Sequence, residues 1–433
     1  MNIAYILPEF VTEKEAGGLA TYYDNISRMF ADRGHSITIF VGSYCDEIIE
    51  YYSNIRVVRV DINHDNIPYN IPGSYIRHSS LTLKEALENE IKKGNKFDLV
   101  QYPNFMGYGL DRLDIPTVIR VSSYRPYLRV ADKELFDPDI KYTSIKIPDF
   151  IEDIAVIKAD AVYGPSKLIA DCIFEQTNKK VSVIESPFYP RGEVDGILSE
   201  KYTELENKKY ILTFGSLKAL KGAKVIGDVI YKVLDKYKDL NWIFAGAEMA
   251  WLNQQGEKVF PSEYISQKAG KYVDRIKFLG KVQHDDLLSI IKNADICVMP
   301  SRIDNLPNTC IEAMALKKIV IGTIGASFEQ LLDDGISGYL VKREDSVDLY
   351  KAICKTQSLS LEEKQLIGEK AQDRIKNMSP DIIYNKLIEF YKGVIANRLT
   401  LKEVENEKYI QIVKRHNELL KECNEKDYIK YVL

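Results

Sequence analysis

Short apolar runs recur along the chain, each followed by a polar turn and then by apolar positions at helical spacing. The first, NIAYIL at residues 2–7, is a continuous run suited to a strand buried on both faces. A loop containing Gly17 and Gly18 follows, then LATYYDNISRMFADRGH, whose spacing predicts a helix ending at Gly34. SITIFV and IRVVRV predict two further strands, and a helix around 83–93 leads to FDLVQYP and IPTVIRV. IEDIAVIKAD reads as a helix, AVYGPS as a strand ending in a turn, and VSVIESPF as another strand. Strands alternating with helices of this length predict a parallel sheet covered on both faces.

The pattern then restarts. Between Tyr189 and Lys209 the chain turns polar and charged, which reads as a connection between domains. After it come YILTFG, a helix from about Ala223 to Tyr237, NWIFAG, IKFLG, the helix DDLLSIIKNA, DICVMPS, the helix IEAMA, IVIGT and SGYLV. The expected architecture is α/β, with two Rossmann-like doubly wound parallel sheets, one over residues 1–190 and one over 191–380. Such sheets bind ligands at the carboxyl ends of their strands, and the expected site is a cleft between the domains. A helix over 381–400 is expected to return to the first domain, and 401–433 reads as a charged helical tail with no assigned role.

Composition excludes several classes. A chain of 433 residues is too long for one ordinary core, and 45% hydrophobic with 28% charged residues is globular. Residues 1–190 hold 21 Lys and Arg against 27 Asp and Glu, and 191–433 hold 38 against 36. With a net charge of -4 there is no electrostatic case for nucleic acid. The first half is not polybasic in bulk, so peripheral membrane association is left to a local patch. Met1–Leu7 has no basic flank or cleavage site, and no run approaches the roughly 18–20 apolar residues of a membrane helix. Cys45, Cys172, Cys297, Cys310, Cys354 and Cys423 form no CxxC pair and read as free, mostly buried thiols of a reducing compartment. The expected location is the cytoplasm, including the inner face of the membrane.

Two stretches of the second series carry candidate chemistry. FGSLKALKG at 214–222 follows a strand and opens a helix. Gly215 can make the tight turn, Lys221 is a point cation, and Gly222 allows backbone to approach a ligand. A solvated surface lysine fits the same residues. PSRIDNLPNTCIEAMA at 300–315 places Asp304 and Glu312 eight positions apart, the first in a loop and the second in a helix. Thr309-x-x-Glu312 also fits a capping box, and Asp304-Asn305 also fits an ordinary turn. Position favours a ligand: the loop follows the strand ICVMP, and Lys221 comes from an earlier strand end of the same sheet.

FGSLKALKG, DRIKFLGKV, ADICVMPSRIDNLPN, IEAMA and IGASFEQLLDDGISGYLV, with its Gly325 to Glu329 turn, stand in the order found in one family. On these motifs the chain resembles the family 4 retaining glycosyltransferases of the GT-B fold, over nearly all of residues 1–395 and most specifically over 211–341. AGGLATYY, FDLVQYPNF, IPTVIRVSS and KADAVYGPS in the first half are similar to the family's with lower specificity. The resemblance implies that Glu312 bonds the ribose hydroxyls of a nucleotide sugar, UDP-sugar before GDP-sugar, and that Asp304 faces the donor sugar. It places backbone of Asn305, Leu306, Pro307 and Asn308 beside the sugar and diphosphate. Lys221 would neutralise that diphosphate, aided by the Gly17–Gly18 turn, with Gly215 and Ser216 at the same donor site. The nucleobase would lie near Lys281. No cofactor or metal is implied, and the chain has neither a DxD motif nor a His/Cys ligand cluster. The implied acceptor is a glycan, lipid-linked or protein-linked hydroxyl on the first domain, in surface polysaccharide or glycan assembly. Oligomeric state is not read.

Three positions depart from the family. Asp304 stands where most members have Glu, and Ser216 where most have Arg, with Lys218 a substitute cation. Ser122 replaces a frequent His of the acceptor loop. Arg120 and Arg125 flank it and fit either an anionic acceptor or surface salt bridges. His35 follows a helix end, where a dipole role suits it. Two alternatives stay open: a nucleotide-sugar epimerase of the same fold, and a non-catalytic scaffold.

Overall fold

A computed structural model of the chain describes residues 1–14, 16–62, 73–131, 142–190, 192, 194–253 and 255–398. The stretch 401–433, with Cys423 and His416, and also His64, lie outside the described residues. The described residues fall into two compact units: 1–126, 142–187 and 380–398 make one, and 188–379 with 127–131 make the other.

The first unit runs β1 (Asn2–Leu7), α1 (Gly18–Ala31), β2 (Ser36–Ser43), β3 (Glu47–Tyr52), β4 (Ile55–Asp61), α2 (Ser74–Lys92), β5 (Leu99–Pro103), β6 (Thr117–Arg120), the start of α3 (Arg125–Ala131, of which 127–131 group with the second unit), α4 (Tyr142–Lys158), β7 (Ala161–Gly164), α5 (Lys167–Thr177) and β8 (Val181–Val183). Its eight strands lie in the order β3-β4-β2-β1-β5-β6-β7-β8. All neighbours are parallel except β3, which pairs antiparallel with β4. The sequence pattern gave no sign of β3. It is an edge strand with exposed and half-exposed positions, held by opposite charges facing across the pair, as in Glu47–Arg59 at 2.6 Å.

The second unit runs β9 (Lys209–Phe214), α6 (Ala223–Lys236), β10 (Leu240–Ala245), β11 (Trp251–Leu252), β12 (Lys258–Val259), α7 (Pro261–Ala269), β13 (Ile276–Phe278), α8 (His284–Asn293), β14 (Ile296–Val298), α9 (Asn308–Ala315), β15 (Val320–Thr323), β16 (Tyr339–Val341), α10 (Ser346–Gln357) and α11 (Leu361–Lys376). Six strands form a parallel sheet in the order β13-β10-β9-β14-β15-β16, and β11 and β12 make a small separate hairpin. Apolar clusters cover both faces. Ile226, Ile230 and Val233 of α6 pack on one, and Ile290 of α8, Ile311 of α9 and Ala371 of α11 on the other. The polar stretch after Tyr189 is no free linker, because Tyr202 and Leu205 within it are buried in this second core. Buried Cys297 and Cys310 are core thiols, and burial pushes Cys297 up to about 12, whereas Cys45 is exposed.

The last described helix is α12 (Pro380–Ala396), which belongs to the first unit. Ile383, Leu387, Tyr391 and Val394 recur at helical spacing and bury one stripe against Phe30, Ile37 and Tyr163. Each such side chain contributes roughly 1.5–3 kcal/mol of transfer free energy. The Tyr391 hydroxyl donates to Gln101 Oε1 at 2.6 Å, and Gln101 Nε2 donates to the Tyr163 hydroxyl at 3.0 Å. His35 contributes its ring to the same docking, with Nε2 2.9 Å from the Tyr384 hydroxyl and the ring in an edge contact with Phe30. Burial first, and then nearby positive charge including Lys392, hold its pKa below the ordinary histidine value. Tyr391→Phe leaves the buried Gln101 oxygen without its donor and is expected to cost about 1–3 kcal/mol, read by chemical denaturation of the full chain.

Candidate functional site

The second sheet winds outward from β9 in both directions, towards β10 and β13 on one side and towards β14, β15 and β16 on the other. The crossovers leave β9 and β14 on opposite faces, and a crevice opens at the carboxyl ends of these two strands. The backbone register sets Ile296 beside Ile211 and Cys297 beside Leu212. The floor is pinned by Thr213, whose hydroxyl donates to Val298 O at 3.0 Å and accepts from Trp242 Nε1 at 3.1 Å. A cavity of about 170 Å³ lies there, lined by Thr213, Gly215, Ser216, Lys221, Ser301, Asp304, Pro307, Asn308 and Thr309 among others. A pocket enclosing an entire drug-sized ligand measures roughly 300–1,000 Å³, so this one has room for only part of such a molecule.

Local sequence explains the walls. Gly215 turns the chain out of β9 at φ +97. Residues Ala219–Lys221 make a single 3-10 turn that ends at Gly222, which has φ +89. A Cβ on Gly222 would stand 2.3 Å from Pro300 O, so glycine is what lets this turn lie against the loop after β14. The Arg302 N–H donates to Leu220 O at 2.9 Å, and Arg302 is itself held by Glu344 at 2.8 Å. These contacts bring Lys221 to Asp304. Lys221 Nζ donates to Asp304 Oδ2, and Asp304 Oδ1 accepts the Asn305 N–H at 3.1 Å. Neither side chain is fully exposed, at 29% for Lys221 and 16% for Asp304.

The fourth wall is α9. Pro307 is its N-cap, with no side-chain cap, so Asn308 and Thr309 present first-turn N–H groups beside the cavity. The capping-box expectation for Thr309 and Glu312 is therefore corrected. The helix begins two residues earlier than that box requires, and Thr309 lies inside it. Leu306 reaches Pro307 through φ +54, a conformation that costs a non-glycine residue roughly 1–2 kcal/mol. Its side chain is buried in the second core, which holds the backbone there.

Not every expected residue meets this cavity. Glu312 does not line it. It stands one turn beyond Asn308 on the same face of α9, about 6 Å along the axis, with Oε1 3.4 Å from His284 Nε2 at the start of α8. Asn305, Leu306 and Lys281 are also absent from the lining, and Lys281 is exposed. Thr213, Ser301 and His284 are residues that sequence reasoning passed over. Only the position of the first two at strand ends could have marked them.

The first-unit residues are placed separately. Gly17 is the N-cap of α1, and its N–H and that of Ala20 both donate to Glu9 Oε1 at 3.2 Å, so a carboxylate already occupies this helix start. Arg125 is ion-paired with buried Glu152, whose pKa burial raises despite the arginine. Arg120 is not on the surface: it is 5% exposed, stacked over Tyr22 at 3.4 Å and bonded to Ser186 Oγ at 3.1 Å. Among the described residues it pairs with no carboxylate. The Ser122 N–H donates to Asn104 Oδ1 at 3.0 Å.

Residues 208–358, which hold this cavity, match the family described as glycosyl transferases group 1. This stretch is similar to the group 1 glycosyltransferase domain. An uncharacterized glycosyltransferase of Methanocaldococcus jannaschii is 27% identical over 247 residues, 55% of this chain and 58% of that protein. The chain thus spans little more than half the length of this relative, and 51% of a second uncharacterized glycosyltransferase, from Haemophilus influenzae. Sucrose-phosphate synthase from Thermosynechococcus elongatus superposes with a TM-score of 0.67 at 16% identity, over 91% of this chain and 99% of that one. The Anabaena protein HepE, solved in complex with UDP, superposes with a TM-score of 0.62 at 15% identity, over 91% and 100%. Two doubly wound units in succession are the GT-B fold that the chain shares with them.

Gly222→Ala adds strain and a clash with Pro300 O, and is expected to destabilise the second unit by at least about 2 kcal/mol. Thermal unfolding should report a fall of roughly 4–8 °C.

Proposed function

We propose that the chain is a retaining glycosyltransferase, moving a sugar from a nucleoside diphosphate sugar to a hydroxyl of a glycan, lipid-linked or protein-linked acceptor. The observation that carries the reading is the Lys221–Asp304 pair in a small cavity at the switch point of the second sheet, beside the N-terminus of α9. As the bond to the sugar breaks, negative charge grows on the leaving diphosphate and positive charge on the sugar. Lys221 and the Asn308 and Thr309 N–H groups are donors fixed in advance where the diphosphate would lie. Removing one such donor typically lowers rate on the order of 10²–10³. Helix N-termini add roughly 0.3–1 kcal/mol each. These groups hold the diphosphate without a metal.

Glu312 takes the ribose, one turn further along α9, and His284 orients it. The acceptor hydroxyl attacks from the face the diphosphate leaves, and a leaving phosphate oxygen takes its proton, giving retention. UDP is the favoured nucleotide, supported by the UDP complex of a protein with the same fold. On the acceptor side Arg120 is favoured over Arg125 for an anionic acceptor, since Arg125 is already neutralised by Glu152. Surface glycan assembly at the inner membrane face is the setting this reading implies.

Lys221→Ala and Glu312→Ala are each expected to cut turnover at least about tenfold with unfolding unchanged, measured as nucleotide released with an acceptor present. Thermal stabilisation by UDP, GDP or ADP, insensitive to EDTA, should be seen with wild type and lost with Lys221→Ala. At about a hundred times its Kd, a nucleotide adds roughly 2.7 kcal/mol. Stabilisation of the Lys221→Ala variant equal to wild type would remove this cavity as the donor site. Full nucleotide binding with no turnover on any acceptor would favour the scaffold alternative.

A further inference from the structure

The Lys221–Asp304 pair sets a condition on any anion that enters the cavity. One Asp304 oxygen meets Lys221 Nζ, and the other accepts the N–H of its own loop at Asn305. The carboxylate is therefore held from two sides. Both residues line the same cavity. An anion that accepts a hydrogen bond from Lys221 is, by that fact, a near neighbour of a fixed negative charge. The lysine attracts it and the carboxylate repels it. Net binding then depends on how much charge the anion brings.

A nucleotide sugar and the nucleoside diphosphate it leaves behind differ in that respect. The free terminal phosphate has a second pKa near about 6 and is almost doubly charged at neutral pH. Esterified to a sugar, the same phosphate carries a single charge. We infer that Asp304 is a selectivity residue whose carboxylate, beside Lys221, disfavours the released nucleoside diphosphate relative to the intact nucleotide sugar. It thereby limits retention of the product. This rests on the donor reading above. Asp304 is suited to the task by its length: it reaches the lysine while one oxygen stays on its own backbone, so the charge is positioned with or without a sugar present.

A role confined to sugar hydroxyls predicts something different. Under that role, removing the charge weakens nucleotide-sugar binding and leaves the bare diphosphate untouched. The deciding quantity is therefore the affinity for the diphosphate alone.

The test is calorimetric titration of the full chain at pH 7.5 and low salt with UDP, GDP and ADP, and with UDP-glucose, GDP-mannose and ADP-glucose. Asp304→Asn keeps an acceptor for the Asn305 N–H and removes the charge. It is expected to bind the preferred diphosphate about tenfold more tightly, an effect that shrinks as salt rises, as partly screened charges require. Asp304→Glu keeps the charge and should stay within about twofold of wild type for the diphosphate, a difference too small for a lost charge at close range. Diphosphate affinity unchanged or weakened in Asp304→Asn, with wild-type binding intact, overturns the inference and leaves the donor site standing. Failure of wild type to bind any of these ligands overturns the donor reading and this inference with it.

Discussion

The cavity of the second unit depends on two loops lying in contact at the carboxyl ends of β9 and β14. Parallel strands that wind away from each other must send their following segments to opposite faces, which opens a crevice but does not close its rim. Here the rim is closed by backbone. Gly222 lies where a side chain would collide with Pro300 O, and the Arg302 N–H reaches Leu220 O. With those two contacts made, Lys221 and Asp304 meet although they are 83 positions apart in the chain. Without them, a lysine on one loop and an aspartate on another would be two solvated surface charges, worth little to each other.

Two of the anion-binding features expected from the sequence are already engaged by carboxylates. Asp304 takes Lys221, and Glu9 takes the Gly17 and Ala20 N–H groups at the start of α1. A partly buried donor with no acceptor loses its hydration without compensation, which costs about 1–3 kcal/mol. A side-chain carboxylate removes that cost and holds the loop in shape. Its consequence is that an incoming anion exchanges partners instead of adding new ones. Part of the gross attraction is spent on displacement, while the donors stay organised in the absence of a ligand.

Strands buried on both faces were legible because they read as unbroken apolar runs, as NIAYIL, YILTFG and NWIFAG do. β3 was not, because an edge strand half in water has no such run. The helices α10 and α11 were missed because their buried stripes are thin and partly built from small or polar residues, Leu349, Ile353 and Thr356 in one and Ile367, Gly368, Ala371 and Ile375 in the other. At the site, residue types were legible and pairing was not. Lys221 and Asp304 could be named as neighbours of one cavity from their strand ends. That they bind each other follows from the Gly222–Pro300 approach, a tertiary contact with no local signature. The reverse error came from Thr309 and Glu312, whose spacing matches a capping box that the helix does not use, since Pro307 starts it earlier.

The interval between Asp304 and Glu312 now has a physical reading. Residues 304–307 form a loop whose tight turn at Leu306 is stabilised by burying that leucine, and residues 308–312 form just over one helical turn. The loop carries the first carboxylate back to Lys221. The helical turn carries the second along the same face as Asn308, by about 6 Å, to the side of His284. One extra residue in the helical part would rotate Glu312 by about 100° away from that face. One extra residue in the loop would shift Asp304 relative to Lys221 and release the strain at Leu306. The two acids are thus held at a fixed distance by different means, a strained loop on one side and a helical repeat on the other, and each half of the interval tolerates change only at the cost of its own carboxylate.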